Sequence, residues 1–74
     1  MADMNAMMAE LKRKTGKDFD KAFIDGMIMH HEQALEMCEM AKDKAAMAEL
    51  KEMAKGIIEK QSKEIERLKS MRTR

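Results

Sequence analysis

The sequence contains no proline, tryptophan or tyrosine, and it has only three glycines and two phenylalanines among 74 residues. Without proline, and with few residues that favour strands, the chain has little that would interrupt a helix or build a sheet. Most positions are instead good helix formers, chiefly alanine, methionine, glutamate and lysine. The composition therefore predicts an all-α protein, and the length predicts a single domain, residues 1–74.

The sequence also has a single cysteine, Cys38, so the chain cannot form an internal disulfide. A core of this size is marginally stable, and small chains without disulfides usually gain stability from a bound metal or from self-association. Eleven methionines are present. Methionine fills a core but specifies its packing poorly, so this abundance suggests that the sulfur itself is needed.

Positive and negative charges nearly balance in this sequence. Fifteen basic and fourteen acidic residues leave a net charge of +1, and both signs are mixed along the chain. Nucleic-acid binding normally requires a one-sided basic surface, so we expect no nucleic-acid partner. No apolar run approaches the ~20 residues that a membrane-spanning helix requires, so we expect no membrane span.

Apolar residues recur with helical spacing in three segments, which predict helices over about residues 3–13, 18–43 and 46–72. Gly16 is expected to adopt the left-handed conformation after the first helix, and Asp18 is expected to cap the second. Residues 42–45 contain no helix breaker, so one continuous helix is the alternative to a hairpin. Two matched apolar stripes favour an antiparallel hairpin, because a lone helix would have nothing to bury them against.

The stripe predicted for the second helix consists of Phe19, Phe23, Met27, His30, Ala34, Met37 and Ala41. The stripe predicted for the third consists of Met47, Leu50, Ala54, Ile57, Gln61, Ile65 and Leu68. A turn centred near residues 45–46 places His30 opposite Gln61, Phe23 opposite Leu68 and Met37 opposite Ala54. In this register His31 points to the flank of the hairpin.

The histidine pair is the first candidate for chemistry. Successive helical residues point about 100° apart, so the two imidazoles do not easily share one ion. Met27 lies one turn before both histidines, while Met37 and Cys38 lie two turns after His30 and His31. Thioether and imidazole ligands suit Cu(I) and Ag(I). The alternative is that His30 is a core histidine bonded to Gln61 and that the methionines only pack.

Other sulfur atoms extend the set of candidate ligands. Cys38 is either a small apolar residue or a thiolate ligand. Met4, Met7 and Met8 lie on the first helix and are candidates for further sites or for a contact with another chain. Enzyme signatures are missing: His31-Glu32 begins a metalloprotease motif, but Leu35 stands where its second histidine would be. We therefore expect no enzymatic activity.

Residues 19–31 (FDKAFIDGMIMHH) and 33–37 (QALEM) resemble the bacterial "domain of unknown function 305" family. The similarity extends over nearly the whole chain: Met7-Met8-Ala9-Glu10-Leu11, Lys14-Thr15-Gly16, Glu49-Leu50-Lys51, Ala54, Ile57-Ile58, Gln61 and Glu64-Ile65. The resemblance implies a ferritin-like helical fold, a periplasmic or secreted location, and binding of copper or silver. It also implies that the metal ligands are Met27, His30, His31 and Met37, with Gln61 as a site neighbour.

The sequence departs from the family pattern in three places. Met29 replaces a usual proline or valine, and Cys38 replaces a usual alanine; both changes add sulfur near the histidines. Leu68 and Met71 stand where family members often have methionine and tryptophan, which removes or moves a methionine at that end.

Two functions follow as expectations. The first is a Cu(I)- or Ag(I)-binding protein that acts in metal tolerance, buffering or transfer. The second is a non-catalytic interaction module with a methionine-rich core. For both functions we expect a homo-oligomer, most simply a dimer, because two hairpins together form a four-helix bundle.

Overall fold

The computed structural model describes residues 4–74, which fold into three helices. Their bounds are α1 (Met4–Arg13), α2 (Gly16–Lys44) and α3 (Ala48–Arg72). The two long helices pack against each other as a hairpin, and α1 packs on α2. There is no strand within residues 4–74. The predicted all-α class and the helical hairpin are confirmed; the expected start of the first helix at residue 3 lies outside the described residues.

The junction between α1 and α2 is made by a glycine in the left-handed region. Gly16 has φ +61°, as predicted, and α2 begins at this residue. Thr15 occupies the N-cap position with extended backbone angles and no side-chain hydrogen bond to the helix. The prediction that Asp18 caps α2 is wrong: Asp18 lies in the first turn, where its carboxylate only complements the helix dipole.

The turn of the hairpin spans residues 45–47 and contains neither glycine nor proline. Ala45 and Met47 both have extended backbone angles, and the Ala45 N–H donates to the Ala41 carbonyl at 3.0 Å. Asp43, close to the turn, lies inside α2. The position of the turn therefore follows from packing between the helices rather than from a helix-breaking residue.

The apolar core is small and lies between α2 and α3. Its buried apolar residues are Ile28, Ala54, Ile65 and Leu68. The stripe predicted for α3 is confirmed from Ala54 onward, whereas Met47 and Leu50, near the turn, are exposed. No helix formed by residues 4–74 is both long enough and apolar enough to cross a bilayer.

The inward face of α2 differs from the prediction. Ile28 and His31 are its buried residues, so the helix is rotated by about one residue relative to the predicted stripe. His30 is exposed and Met37 is 67% exposed, so neither faces α3 as expected. The reason is that α2 carries two adjacent apolar stripes, and periodicity alone does not determine which of them faces α3.

The register of the hairpin also differs from the prediction. His31 lies opposite Glu64 and Asp25 lies opposite Arg72. Relative to a turn centred at residues 45–46, these pairs are displaced by about one helical turn. The expected pairing of His30 with Gln61 is therefore wrong, because His30 points away from α3 and Gln61 lies one turn before the residue that His31 contacts.

Candidate metal-binding groove

A groove of about 220 Å³ lies between α2 and α3 near the end of the hairpin opposite the turn. Six residues line it: Met27, His31, Glu64, Arg67, Leu68 and Met71. It therefore brings together two thioethers, one imidazole and one carboxylate from two different helices. Such a mixture provides sulfur and nitrogen donors beside a charged hydrogen-bond partner.

The imidazole of His31 is held by a carboxylate. Its Nε2 atom lies 2.8 Å from Glu64 Oε1, and the side chain of His31 is only 7% exposed while that of Glu64 is 47% exposed. An ionised carboxylate can only accept hydrogen bonds, so Nε2 carries the hydrogen and donates it. The pairing fixes both the orientation of the ring and the tautomer of the neutral imidazole.

The second ring nitrogen of His31 has no hydrogen-bond partner. Within residues 4–74, His31 Nδ1 and Gln61 Oε1 are the buried side-chain polar atoms for which no partner is found. Since Nε2 carries the hydrogen, Nδ1 of the neutral ring bears a free lone pair. A buried polar atom left unpaired costs about 1–3 kcal/mol, so the unpaired Nδ1 of a residue that lines one groove with two methionines calls for an explanation.

Metal-binding histidines characteristically donate their other ring N–H to a carboxylate, which orients the ring and makes the ligand nitrogen more basic. Glu64 and His31 have this arrangement. Within the described part of the chain, no three His, Cys, Asp or Glu side chains are grouped so as to hold a metal ion. Any metal at the groove would therefore depend on the methionine sulfurs, which fits a soft ion better than a hard one.

The two histidines of the pair face different surroundings. Their ring centroids are 6.3 Å apart and the ring planes are inclined by 70°. His31 faces α3 and His30 faces outward, which reverses the roles expected from the sequence. The expectation that the adjacent imidazoles do not act as one chelating pair stays a prediction.

The other predicted ligands lie outside the groove. Met37 is largely exposed, two turns beyond His30 along α2, and Cys38 is a half-buried free thiol. Met4 and Met8 are about half exposed on α1. Gln61, the predicted site neighbour, lies one turn before Glu64 on α3 with its side-chain oxygen buried.

Met7 is the methionine of α1 that packs closely on α2. A Cβ atom placed on Gly26 would lie 2.6 Å from Met7 Sδ, so the absence of a side chain at Gly26 allows the thioether to approach the backbone of α2. Gly26 directly precedes Met27, and α1 therefore holds a third sulfur near the helix segment that carries the groove.

A charged cluster ties the helices together near the groove. Asp25 receives hydrogen bonds from Lys21 at 3.2 Å and from Arg72 at 3.4 Å. The hydrogen bond from Lys21, reinforced by the charges of Lys21 and Arg72, lowers the pKa of Asp25 below its usual 3.8 despite some opposing desolvation. The contact with Arg72 joins the last turn of α3 to α2.

The sequence did not identify three lining residues, Glu64, Arg67 and Met71. Glu64 belongs to the Gln61–Ile65 segment noted for its family resemblance, and Met71 was noted only as a departure from the family pattern. A hairpin register shifted by one turn would have placed Glu64 opposite His31. Met71 lies three residues after Leu68, which is the spacing at which it shares a face with that core residue.

A protein-family model described as a domain of unknown function (DUF305) matches residues 1–72. Comparisons with curated proteins and with solved structures find no significant match. The family match covers all three helices and every residue of the groove.

Proposed function

Because the chain belongs to the DUF305 family, whose description assigns no activity, we propose a function from the groove itself: binding of Cu(I) or Ag(I). The observation that carries the proposal is the buried Nδ1 atom of His31, which has no partner within residues 4–74, in a side chain that lines one groove with Met27 and Met71. The protein would act in metal tolerance, buffering or transfer.

The chemistry of the donors supports a soft monovalent ion. Two thioethers and one imidazole are ligands that Cu(I) and Ag(I) accept, whereas Ca²⁺ and Mg²⁺ require several oxygen ligands. The carboxylate of Glu64 is already engaged by His31, and Arg67 lines the same groove, so the positive charge of Arg67 offsets the negative charge of Glu64. Glu64 would act through His31 rather than as a ligand.

The wider set of predicted ligands belongs to the same proposal. His30, Met37 and Cys38 on α2, and Met4, Met7 and Met8 on α1, are proposed as donors for additional ions outside the groove. A ferritin-like bundle and a periplasmic or secreted location, both implied by the family resemblance, are proposed with it. We propose no catalytic role.

Titration of the metal-free protein with Cu(I) against a competing chelator tests the groove. Met27→Leu and Met71→Leu remove sulfur while keeping the volume of the side chain nearly constant, and His31→Gln removes the imidazole. We expect each variant to lose at least about tenfold in affinity for the tightest ion, since each removes one of three ligands.

Two variants serve as matched controls in this titration. Met29→Leu changes an exposed methionine of α2, and His30→Gln changes the exposed histidine beside His31. Both should retain the wild-type affinity for the tightest ion. Loss of affinity in His30→Gln with no loss in His31→Gln would show that His30, and not His31, binds the ion. That result would overturn the proposed site.

A non-catalytic interaction module is the second candidate function. The observation that favours it is the exposure of many large apolar side chains, among them Met37 at 67% and Met53 at 56%. Methionine-rich surfaces adapt readily to partner helices. This candidate predicts that the wild-type protein competes poorly with the chelator for Cu(I), whereas the metal-binding proposal predicts the opposite.

A further inference from the structure

The helix α2 carries an apolar stripe that the hairpin does not bury. It consists of Phe23, Met27, Ala34, Met37 and Ala41, with His30 as its polar member. Phe23 is 41% exposed and Met37 is 67% exposed. The spacing of four and three residues keeps these positions on one side of the helix, and none of them is charged. A stripe of this kind is typical of a surface that another helix covers.

The helix α3 carries a matching stripe beside its buried residues. It consists of Leu50, Met53, Ile57 and Met71. Leu50 is 43%, Met53 is 56% and Met71 is 37% exposed. Glu64, which also lies on this side, has its carboxylate bonded to His31. This charge is paired within the chain, whereas Lys60 and Arg67, at helical spacing from Glu64, place two further charges between Ile57 and Met71.

The two stripes lie on the same side of the hairpin. Phe23 lines one surface groove together with Leu68 and Met71, and Met27 lines the groove at His31 together with the same two residues. Residues of both stripes therefore meet across the seam between α2 and α3. We call this two-helix surface the methionine face.

The size of the methionine face suits a dimer. The molecule is 43 Å long, and two neighbouring helices are about 20 Å wide. This footprint is close to the roughly 800 Å² that each partner buries in a standard interface. This footprint covers the whole two-helix side, charged positions included, and the apolar residues buried within the described chain are only Ile28, Ala54, Ile65 and Leu68.

We propose that a second copy of this chain docks on the methionine face. Two antiparallel helices pack face to face with two others in a four-helix bundle, and a twofold axis pairs the same surface of both copies. The net charge of +1 gives little repulsion between copies. Because Met27 and Met71 belong to both the face and the His31 groove, the second copy also closes that groove against solvent.

The test measures the molar mass of the full chain by sedimentation equilibrium at micromolar concentration, with chelator present to exclude metal. Met37→Glu and Met53→Glu place a charge on the methionine face, away from the His31 groove. Met40→Glu places the same charge at a methionine that is 48% exposed but lies off the stripe. All three positions face solvent in the hairpin, so the variants should retain wild-type helix content by circular dichroism.

The proposal expects a dimer for the wild type and for Met40→Glu, and a monomer for Met37→Glu and Met53→Glu. A monomeric wild type, a larger oligomer, a dimer that Met37→Glu leaves intact, or dissociation by Met40→Glu would each overturn it. Because metal is absent throughout, the result does not depend on the proposed Cu(I) binding. The monomeric variants can in turn be titrated with Cu(I), so failure of either proposal is recognised separately.

Discussion

His31 has two ring nitrogens in different environments, and this difference decides what the residue can do. Nε2 is engaged by Glu64 at 2.8 Å, while Nδ1 is buried without a partner among residues 4–74. A histidine that only stabilised the core would be expected to have both nitrogens satisfied. Because His31 lines one groove with Met27 and Met71, the unequal hydrogen bonding of its two nitrogens makes the groove a candidate ligand site.

The contribution of Glu64 can be measured at the residue scale. Glu64→Gln keeps an oxygen that accepts the Nε2 hydrogen bond but removes the negative charge of the carboxylate. We expect the affinity for Cu(I) to fall roughly 10-fold or more, as is usual when the carboxylate partner of a metal-bound histidine is changed. Glu66→Gln, which removes a carboxylate from an exposed position of the same helix, is the control. Equal affinities in the two variants would contradict the role of Glu64.

The two glycines inside helices make opposite predictions for a change to alanine. At Gly56 an added Cβ meets nothing within 4 Å, so Gly56→Ala should stabilise the protein by about 0.5–1 kcal/mol through helix propensity. At Gly26 the added Cβ lies 2.6 Å from Met7 Sδ, so the thioether must move and the gain should be smaller.

The Met7→Ala background separates two effects of Gly26→Ala on the free energy of unfolding: the gain in helix propensity and the clash with the Met7 thioether. With the thioether removed, Gly26→Ala should recover the full gain seen at Gly56, as measured by urea denaturation. Gly56→Ala should give the same gain in both backgrounds, because distant sites add independently. If Gly26→Ala has the same effect with and without Met7, then α1 does not pack on α2 through this contact.

At the scale of the helices, the ends of the hairpin are joined by the contact between Asp25 and Arg72. The pKa of Asp25 is lower in the folded chain than its usual 3.8, so the folded state favours the ionised form. The resulting stabilisation is fully present above the unfolded value and is lost as the pH falls through the lower, folded value.

Asp25→Asn should therefore destabilise the protein at pH 7, by only a few tenths of a kcal/mol (roughly 0.3), since both side chains are solvent-exposed and screened. The difference from the wild type should disappear when the pH falls well below 3.8. Urea denaturation of both proteins at pH 7 and at a pH well below 3.8 measures the difference in the free energy of unfolding. A difference that persists unchanged in acid would show that Asp25 acts through something other than its charge.

The helices show how far sequence reasoning reaches. Composition and periodicity predicted three helices, the hairpin and the left-handed Gly16, because these depend on local preferences and on burying one face. They predicted the stripe of α3 from Ala54 onward for the same reason. They failed on α2, because its apolar residues at Met27 and Ile28 begin two stripes, and only the packing against α3 selects between them.

The groove could be predicted only in part. Met27 and His31 were predicted as ligands of a soft ion, and these two residues line the same groove. Glu64 and Met71 were missed because their position depends on the hairpin register, and a turn without glycine or proline leaves that register undefined in the sequence. The predicted pair was His30 and Gln61, whereas the structure pairs His31 with Glu64. An error of one helical turn in the register, together with the rotation of α2, accounts for the difference.

At the scale of the whole molecule, the proposed dimer makes stability depend on concentration. Unfolding of a dimer produces two chains, so dilution favours the unfolded state and lowers Tm. We expect the Tm of the wild type to rise with protein concentration in calorimetry, and the Tm of Met37→Glu to stay constant. A wild-type Tm that does not change over a hundredfold range of concentration would indicate that the hairpin is stable alone.

The small core between α2 and α3 has a consequence for how fast an ion can leave. Within residues 4–74 no large side chain is fully buried, so a single hairpin has no interior in which an ion could be trapped. An ion at His31 would escape from the isolated hairpin by side-chain rotation, without unfolding of either helix. The residence time of the metal would then be set by the lifetime of the dimer that covers the groove, and dilution would speed its release.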